Sequence, residues 1–242
     1  PKTIRLLSEL GYSSDGKLSV RYSQPLLSVD SLFGVRYAAA DQVYSGYVTT
    51  GGVTALPGTV WSSNPYALSL AYAVSDRAAG SAYPTGDDPF ERQNALFSTL
   101  LGEEVQLYRP LEATEAASDS DRLSWTVEVP AGCIGYAYVV KGQNAGGNSI
   151  LNMSTDGASP VPEGWRFDHT LRQIAPEGDT ASTHTVTISR ADPAYKIPKG
   201  TTCLFYALDM DVFESAMDEL AARQATVGSF SDGRVSLSFS SK

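Results

Sequence analysis

The sequence predicts an all-β chain built as two antiparallel β-sandwich domains with one or two short helices. Three observations predict it. Short runs of alternating apolar and polar residues recur along the chain. Turn residues (Gly, Pro, Asn, Asp) separate those runs, and only two stretches carry helical periodicity. The best alternation is Leu123, Trp125, Val127 and Val129 against Ser124, Thr126 and Glu128, with Pro130 as its stop.

In chain order, Thr3 to Glu9 reads as extended, Ser13-Ser14-Asp15-Gly16 as a hairpin turn, and Lys17 to Tyr22 as the return strand. Leu32 to Ala38 and Val43 to Thr49 are the next strands, and Gly51-Gly52 punctuates the chain. Tyr66, Leu68, Leu70, Tyr72 and Val74 alternate with small residues, the period-two pattern of a half-buried strand. A long loop over 76–89 leads into a helix at Phe90 to Leu101, introduced by Asp87-Asp88-Pro89 and ended by Gly102. Val105 to Tyr108 is again a strand.

Residues 113–121 are small, polar and acidic with no apolar face. They are read as a linker or surface loop between an N-terminal sandwich at 1–112 and a C-terminal one at 122–242; helix is the competing reading for their first half. Beyond it, Ile134 to Val140, Thr185 to Ser189 and Cys203 to Leu208 alternate as strands. Phe213, Ala216, Met217 and Leu220 fall at i, i+3, i+4, i+7 and mark a second helix. Val235, Leu237 and Phe239 alternate with serines as a last strand.

Length and composition bound the function. At roughly 100–200 residues per domain, 242 residues make one large domain or two small ones. With 42% hydrophobic and 19% charged residues the chain is neither a disordered tail nor membrane-spanning. A net charge of −9 argues against a partner that is nucleic acid. Two histidines leave little for a catalytic constellation. His169 follows Asp168, but neighbours on an extended segment point opposite ways. His184 reads as a strand-end residue. Asp87-Asp88 and Asp209/Asp211 are the densest carboxylate pairs; each precedes a helix, so capping is the simpler role. No EF-hand, HExxH, GxSxG or P-loop is present. A non-enzyme with no catalytic residues, no metal and no cofactor is the expectation, with a carboxylate-pair hydrolase as a minor alternative.

Cys133 and Cys203 sit in apolar runs and are read as buried thiols or as a cross-strand disulfide. Trp61, Trp165, Tyr66 and Tyr195 flank loops and are candidates for stacking on sugars, against the ordinary role of aromatics as sandwich filling. Pro1 opens the chain without a leader, so a mature or trimmed form is compatible with export.

The run Asp30-Ser31-Leu32-Phe33-Gly34-Val35-Arg36-Tyr37, the later Asn64-Pro65-Tyr66-Ala67-Leu68-Ser69-Leu70, and Ile197-Pro198-Lys199-Gly200-Thr201-Thr202 ahead of an apolar strand resemble the fimbrillin-like proteins of Bacteroidetes. The resemblance covers about a quarter of the chain. It implies transthyretin-like or Ig-like sandwiches, export as a lipid-anchored precursor, and a pilus subunit or tip adhesin at the cell surface. It further implies assembly by strand addition with other subunits or in a homo-oligomer, and a host glycan or protein receptor. The triplets Asp30-Ser31-Leu32 and Asp179-Thr180-Ala181 are similar to O-glycosylation sites of that group. Val235, Leu237 and Phe239, or the segment Ile4 to Leu7, are then candidate donor or edge strands. A surface carbohydrate-binding protein is the alternative, and a virion structural protein shares the same logic.

Overall fold

A computed structural model describes residues 2–14, 19–50, 57–69, 71–80, 84–140, 151–163, 171–194, 196–231 and 234–239. The elements run α1 (Lys2–Glu9), β1 (Ser13–Ser14), β2 (Val20–Arg21), α2 (Leu27–Leu32), β3 (Tyr37–Ala40), β4 (Val48–Thr49), β5 (Val60–Ser63), a 3-10 turn (Asp76–Gly80) and α3 (Pro89–Leu101). There follow β6 (Tyr108–Pro110), β7 (Ala113–Ser118), β8 (Arg122–Val129), β9 (Cys133–Val140), β10 (Leu151–Thr155), β11 (Val161–Glu163), β12 (Leu171–Ala175), β13 (Ser182–Arg190), β14 (Thr202–Asp209), α4 (Met210–Ala222), β15 (Thr226–Ser231) and β16 (Arg234–Ser238). Strands dominate and every paired ladder is antiparallel, as the alternating sequence predicts. Among the described residues no helix is long and apolar enough to cross a membrane.

The chain forms two compact units, each discontinuous in sequence. One holds Pro1–Gln24, Asp87–Phe90 and Tyr108–Met210; the other holds Pro25–Gly86, Glu91–Leu107 and Asp211–Lys242. This division does not follow a boundary at 113–121. That segment lies inside the first unit, where β7 pairs with β8 through a register shift between Glu115 and Ala117. The polar composition that suggested a linker is that of a bulged edge strand, exposed at Thr114, Glu115 and Ala116.

In the first unit a five-stranded sheet, β11-β10-β13-β8-β7, packs on a four-stranded sheet, β12-β9-β14-β6. The pairing is nested: β8 with β13, β9 with β12, β10 with β11. One long hairpin is thus folded back across two sheets, the wrapping of a jelly roll. Leu123, Trp125, Val127, Leu151, Met153, Val186 and Ile188 from one sheet meet Ala137, Val139, Ile174, Cys203 and Phe205 from the other. Trp125 and Phe205 cross the gap edge to face, with ring centroids 5.9 Å apart. The two crossing loops at one end are tied together by Gly132 N–H donating to Gly178 O at 2.9 Å.

The first residues differ from expectation: Thr3 to Glu9 is helical, not extended. Arg5 and Glu9 pair one turn apart at 2.7 Å, and Gly11, at φ +109, closes the helix. Leu10 is fully buried, and Leu171 N–H on β12 donates to Gly11 O. Ile4 to Leu7 therefore supplies no donor strand.

The second unit carries the sheet β3-β5-β4, the hairpin β15-β16, α2, most of α3 and most of α4. The two sequence-read helices are present. Gly102, at φ +89, follows α3, and Phe213, Ala216, Met217 and Leu220 of α4 are all buried. Among the described residues of Tyr66 to Val74 there is no strand; Tyr72 forms an isolated bridge, to Gln224. Asn64 Oδ1 accepts from Tyr66 N–H and turns the chain. The amides of Leu68, Ser69 and Ala73 then donate to Ser31 O, Gln224 Oε1 and Arg223 O. The alternation is real, but these backbone groups are satisfied by helix ends and a side chain instead of a ladder.

Candidate functional site

The most organised polar cluster among the described residues lies on the first unit, at the end of β13. Val186 and Ile188 of β13 point into the sandwich and are fully buried. Side chains alternate, so Ser182 and His184 face the same inner side, opposite Val129 and Val127 of β8. They stand where the sheet ends, and both are half-buried. Asp156 is the residue after β10, held at φ +52, and its carboxylate reaches β13. Asp156 N–H donates to Thr185 O, and Asp156 Oδ1 accepts from Thr185 N–H at 2.7 Å. These two bonds fix the carboxylate, which tolerates the left-handed backbone better than most residues would.

Asp156 Oδ2 lies 2.7 Å from His184 Nδ1, and His184 Nε2 lies 2.8 Å from Ser182 Oγ. An ionised carboxylate only accepts, so Nδ1 carries a proton. In the neutral imidazole Nε2 is then an acceptor, and the Ser182 hydroxyl donates to it. The side chain of His184 is 13% exposed and that of Asp156 51%, so solvent reaches the acid end of the string. Ser-x-His on a strand, two residues apart on one face, is a signal the sequence carried; Asp156, 28 positions away in sequence, could be joined to it only by the fold.

The residues singled out from sequence fall elsewhere. Trp61, on β5, is half-buried, and its indole Nε1 is buried with no hydrogen-bond partner. Tyr66 is half-buried, packs edge-on against Phe213 at 5.1 Å, and donates its hydroxyl to Glu214. Both belong to the second unit. Trp165, Tyr195 and His169 lie outside the described residues. Asp88 is a buried helix cap: Oδ1 accepts from Phe90 N–H at 2.8 Å, and Oδ2 from Tyr206 Oη–H at 2.9 Å. Asp87 and Asp211 are exposed, and Asp209 pairs with Arg109. Neither acidic pair is thus presented as two facing carboxylates. Among the described residues no cluster of three or more His, Cys, Asp or Glu is set to hold a metal.

Cys133 and Cys203 form no disulfide and are buried thiols, correcting the cross-strand alternative. Asp30 and Ser31 are fully buried in α2, so the first of the two glycosylation-like triplets is closed to modification, while Asp179-Thr180-Ala181 is exposed. Tyr47 Oη–H donates to Asp30 Oδ2 at 2.6 Å inside the second unit. Val235, Leu237 and Phe239 are exposed by 50%, 44% and 49%. The strand they form or adjoin, β16, is already paired within the chain, with β15.

No family model matches this sequence, and no curated protein does. Solved structures show only a partial likeness. A family two carbohydrate esterase from Cellvibrio japonicus is 14% identical with a TM-score of 0.22, over 42% of this chain and 30% of that one. A two-domain esterase active on acetylated mannans is 14% identical with a TM-score of 0.22, over 43% and 32%. An RmlC-like cupin protein from Desulfovibrio desulfuricans is 14% identical with a TM-score of 0.14, over 33% and 81%. The chain spans about a third of the length of each esterase.

Proposed function

We propose that this chain is a structural and adhesive subunit of a cell surface, joined to a second copy of itself by strand addition at the β15–β16 hairpin. The observation that carries this reading is the exposure of Val235 and Leu237 on a two-stranded sheet, and of Phe239 just past its end. Among the described residues β15 and β16 pair only with each other, so each keeps one open edge. A hairpin alone is marginally stable in water, and an open edge with alternate apolar side chains is suited to accept another strand. Main-chain bonds would supply the affinity, and the spacing of the apolar side chains the register. Sugar stacking draws less support, because Tyr66 already uses its ring and hydroxyl in packing.

The test is association of the purified chain. Light scattering over rising concentration is expected to show the wild type forming dimers or longer species. The triple variant Val235→Thr, Leu237→Thr, Phe239→Thr, which keeps strand-forming residues, is expected to stay monomeric with an unchanged circular dichroism spectrum. A wild type that remains monomeric throughout would remove the proposal.

A further inference from the structure

We propose that Ser182, His184 and Asp156 act as nucleophile, general base and orienting carboxylate in the hydrolysis of small carboxylic esters. This goes beyond the surface-subunit reading and involves the other unit of the chain, so either can fail without the other.

The argument is geometric. His184 bridges the two partners through different ring nitrogens, Nδ1 to Asp156 at 2.7 Å and Nε2 to Ser182 at 2.8 Å. That order of contacts places the proton acceptor of the ring on the serine hydroxyl and its proton donor on the carboxylate. Asp156 is itself held by two bonds to Thr185, so the imidazole is aimed by a fixed acid.

An oxyanion donor follows from the register. Thr185 directs both its N–H and its C=O toward Asp156, on the β10 side of β13. Backbone direction alternates along a strand, so Thr183 N–H points the same way. The last β10–β13 pair is Thr155 with Val186, so Thr183 lies past the end of that ladder. It is the amide next after the nucleophile, and it is directed out at the sheet edge, where an oxyanion can take it.

The chemistry balances with water as the only co-reactant. Ser182 Oγ attacks the ester carbonyl carbon as its proton passes to His184 Nε2, and Thr183 N–H donates to the oxyanion. The bond to the alkoxide breaks, and the alkoxide takes the proton from Nε2, leaving an acyl ester on Ser182. Water then attacks that ester, gives a proton to Nε2, and releases the carboxylic acid as the proton returns to Ser182 Oγ. Buried Val127 and Val129 opposite the pair favour a small, apolar acyl group.

The experiment treats the full chain with a fluorophosphonate probe and locates the label by peptide mass spectrometry. Labelling is expected at Ser182, absent in Ser182→Ala, and slowed at least about a hundredfold in His184→Ala and Asp156→Asn. Asp156→Asn retains an oxygen to accept from Thr185 N–H but cannot accept from imidazole N–H. It therefore carries the test if His184→Ala unfolds, with matched melting curves as the control. The same variants are expected to lose p-nitrophenyl acetate hydrolysis in parallel. Labelling of Ser182 no faster than that of the exposed Ser215, or a rate unchanged in Asp156→Asn, would overturn the proposal.

Discussion

Cys133 and Cys203 lie on adjacent strands, β9 and β14, at opposite ends of the same ladder. Cys133 stands opposite Asp209, and Cys203 stands opposite Val139. Six residue steps along β9 lead from position 133 to position 139, or about 20 Å at ~3.4 Å per residue. A disulfide needs Cα atoms within about 7 Å.

Two thiols are therefore the expected state in any compartment. Mass spectrometry without reductant should find no loss of two hydrogens. A thiol reagent should react slowly with the native chain, where Cys133 is 2% and Cys203 8% exposed, and fully after denaturation. The melting temperature should not move with reductant. A fall of several degrees would mean an intramolecular bridge and a different register.

Asp88 joins two jobs in one carboxylate. It caps the start of α3 through Phe90 N–H and accepts the buried Tyr206 hydroxyl. Phe90 stacks on Tyr206 at 4.1 Å, so cap and ring packing reinforce each other. Asp88→Ala loses a cap worth about 1 kcal/mol and a hydrogen bond to a charged group worth about 1.5–3 kcal/mol. Tyr206→Phe loses only the second. Denaturant melts of the two single variants and the double should show the losses to be less than additive by about 1 kcal/mol or more. Strict additivity would show that the two groups act independently.

What the sequence made legible follows from which interactions shape each segment. Strands β8 and β13 alternate because one face of each lies in a continuous core, so Leu123, Val127 and Val186 announced themselves, whereas β9 and β14 bury both faces and read as nearly continuous apolar runs. The α4 stripe, Phe213 to Leu220, was legible for the same reason. Tyr66, Leu68, Tyr72 and Val74 alternate with small residues too, yet the amides of Leu68, Ser69 and Ala73 are held by Ser31, Gln224 and Arg223, and no local pattern reports such distant partners. Asp30 and Ser31 look like a polar surface pair and are fully buried, each hydrogen-bonded inside the second unit. At the candidate site Ser182 and His184 share a face by spacing alone, whereas Asp156 arrives only through the β10–β13 register. The resemblance to fimbrillin-like proteins rested on short motifs, and Asn64-Pro65-Tyr66 proves to be a side-chain-capped turn.

Gly46 marks a place where the backbone conformation decides the residue. Its φ is +83, and a Cβ there would stand 2.2 Å from Leu27 Cδ2. Leu27 is 1% exposed, so it has little room to give. Gly46→Ala combines a strained left-handed backbone with overpacking, each of order 1 kcal/mol or more. Gly58, at φ +75 with nothing within 4 Å of its Cβ position, is the control: Gly58→Ala meets only the backbone cost. Thermal melts should place Gly46→Ala at least about 1 kcal/mol below Gly58→Ala. Equal melting temperatures would show that the Leu27 contact relaxes without cost.

Tyr72 gives the second unit an alkaline limit. Burial raises the pKa of its phenol above the ordinary 10.0, because the charged phenolate would lose its hydration there. The hydroxyl donates to Leu32 O at 3.3 Å, a bond only the neutral form can make. In the unfolded chain the phenol ionises at its ordinary value. Below 10.0 both states hold the proton and the burial carries no pH dependence. As pH rises past 10.0 the unfolded state releases its proton first, so stability falls with pH until the folded phenol also ionises. Tyr72→Phe removes this dependence at the cost of the Leu32 bond. Denaturant melts from neutral pH into the alkaline range should therefore fall less steeply for the variant than for the wild type, starting from a slightly lower neutral-pH stability. Parallel slopes would assign the alkaline loss to other groups.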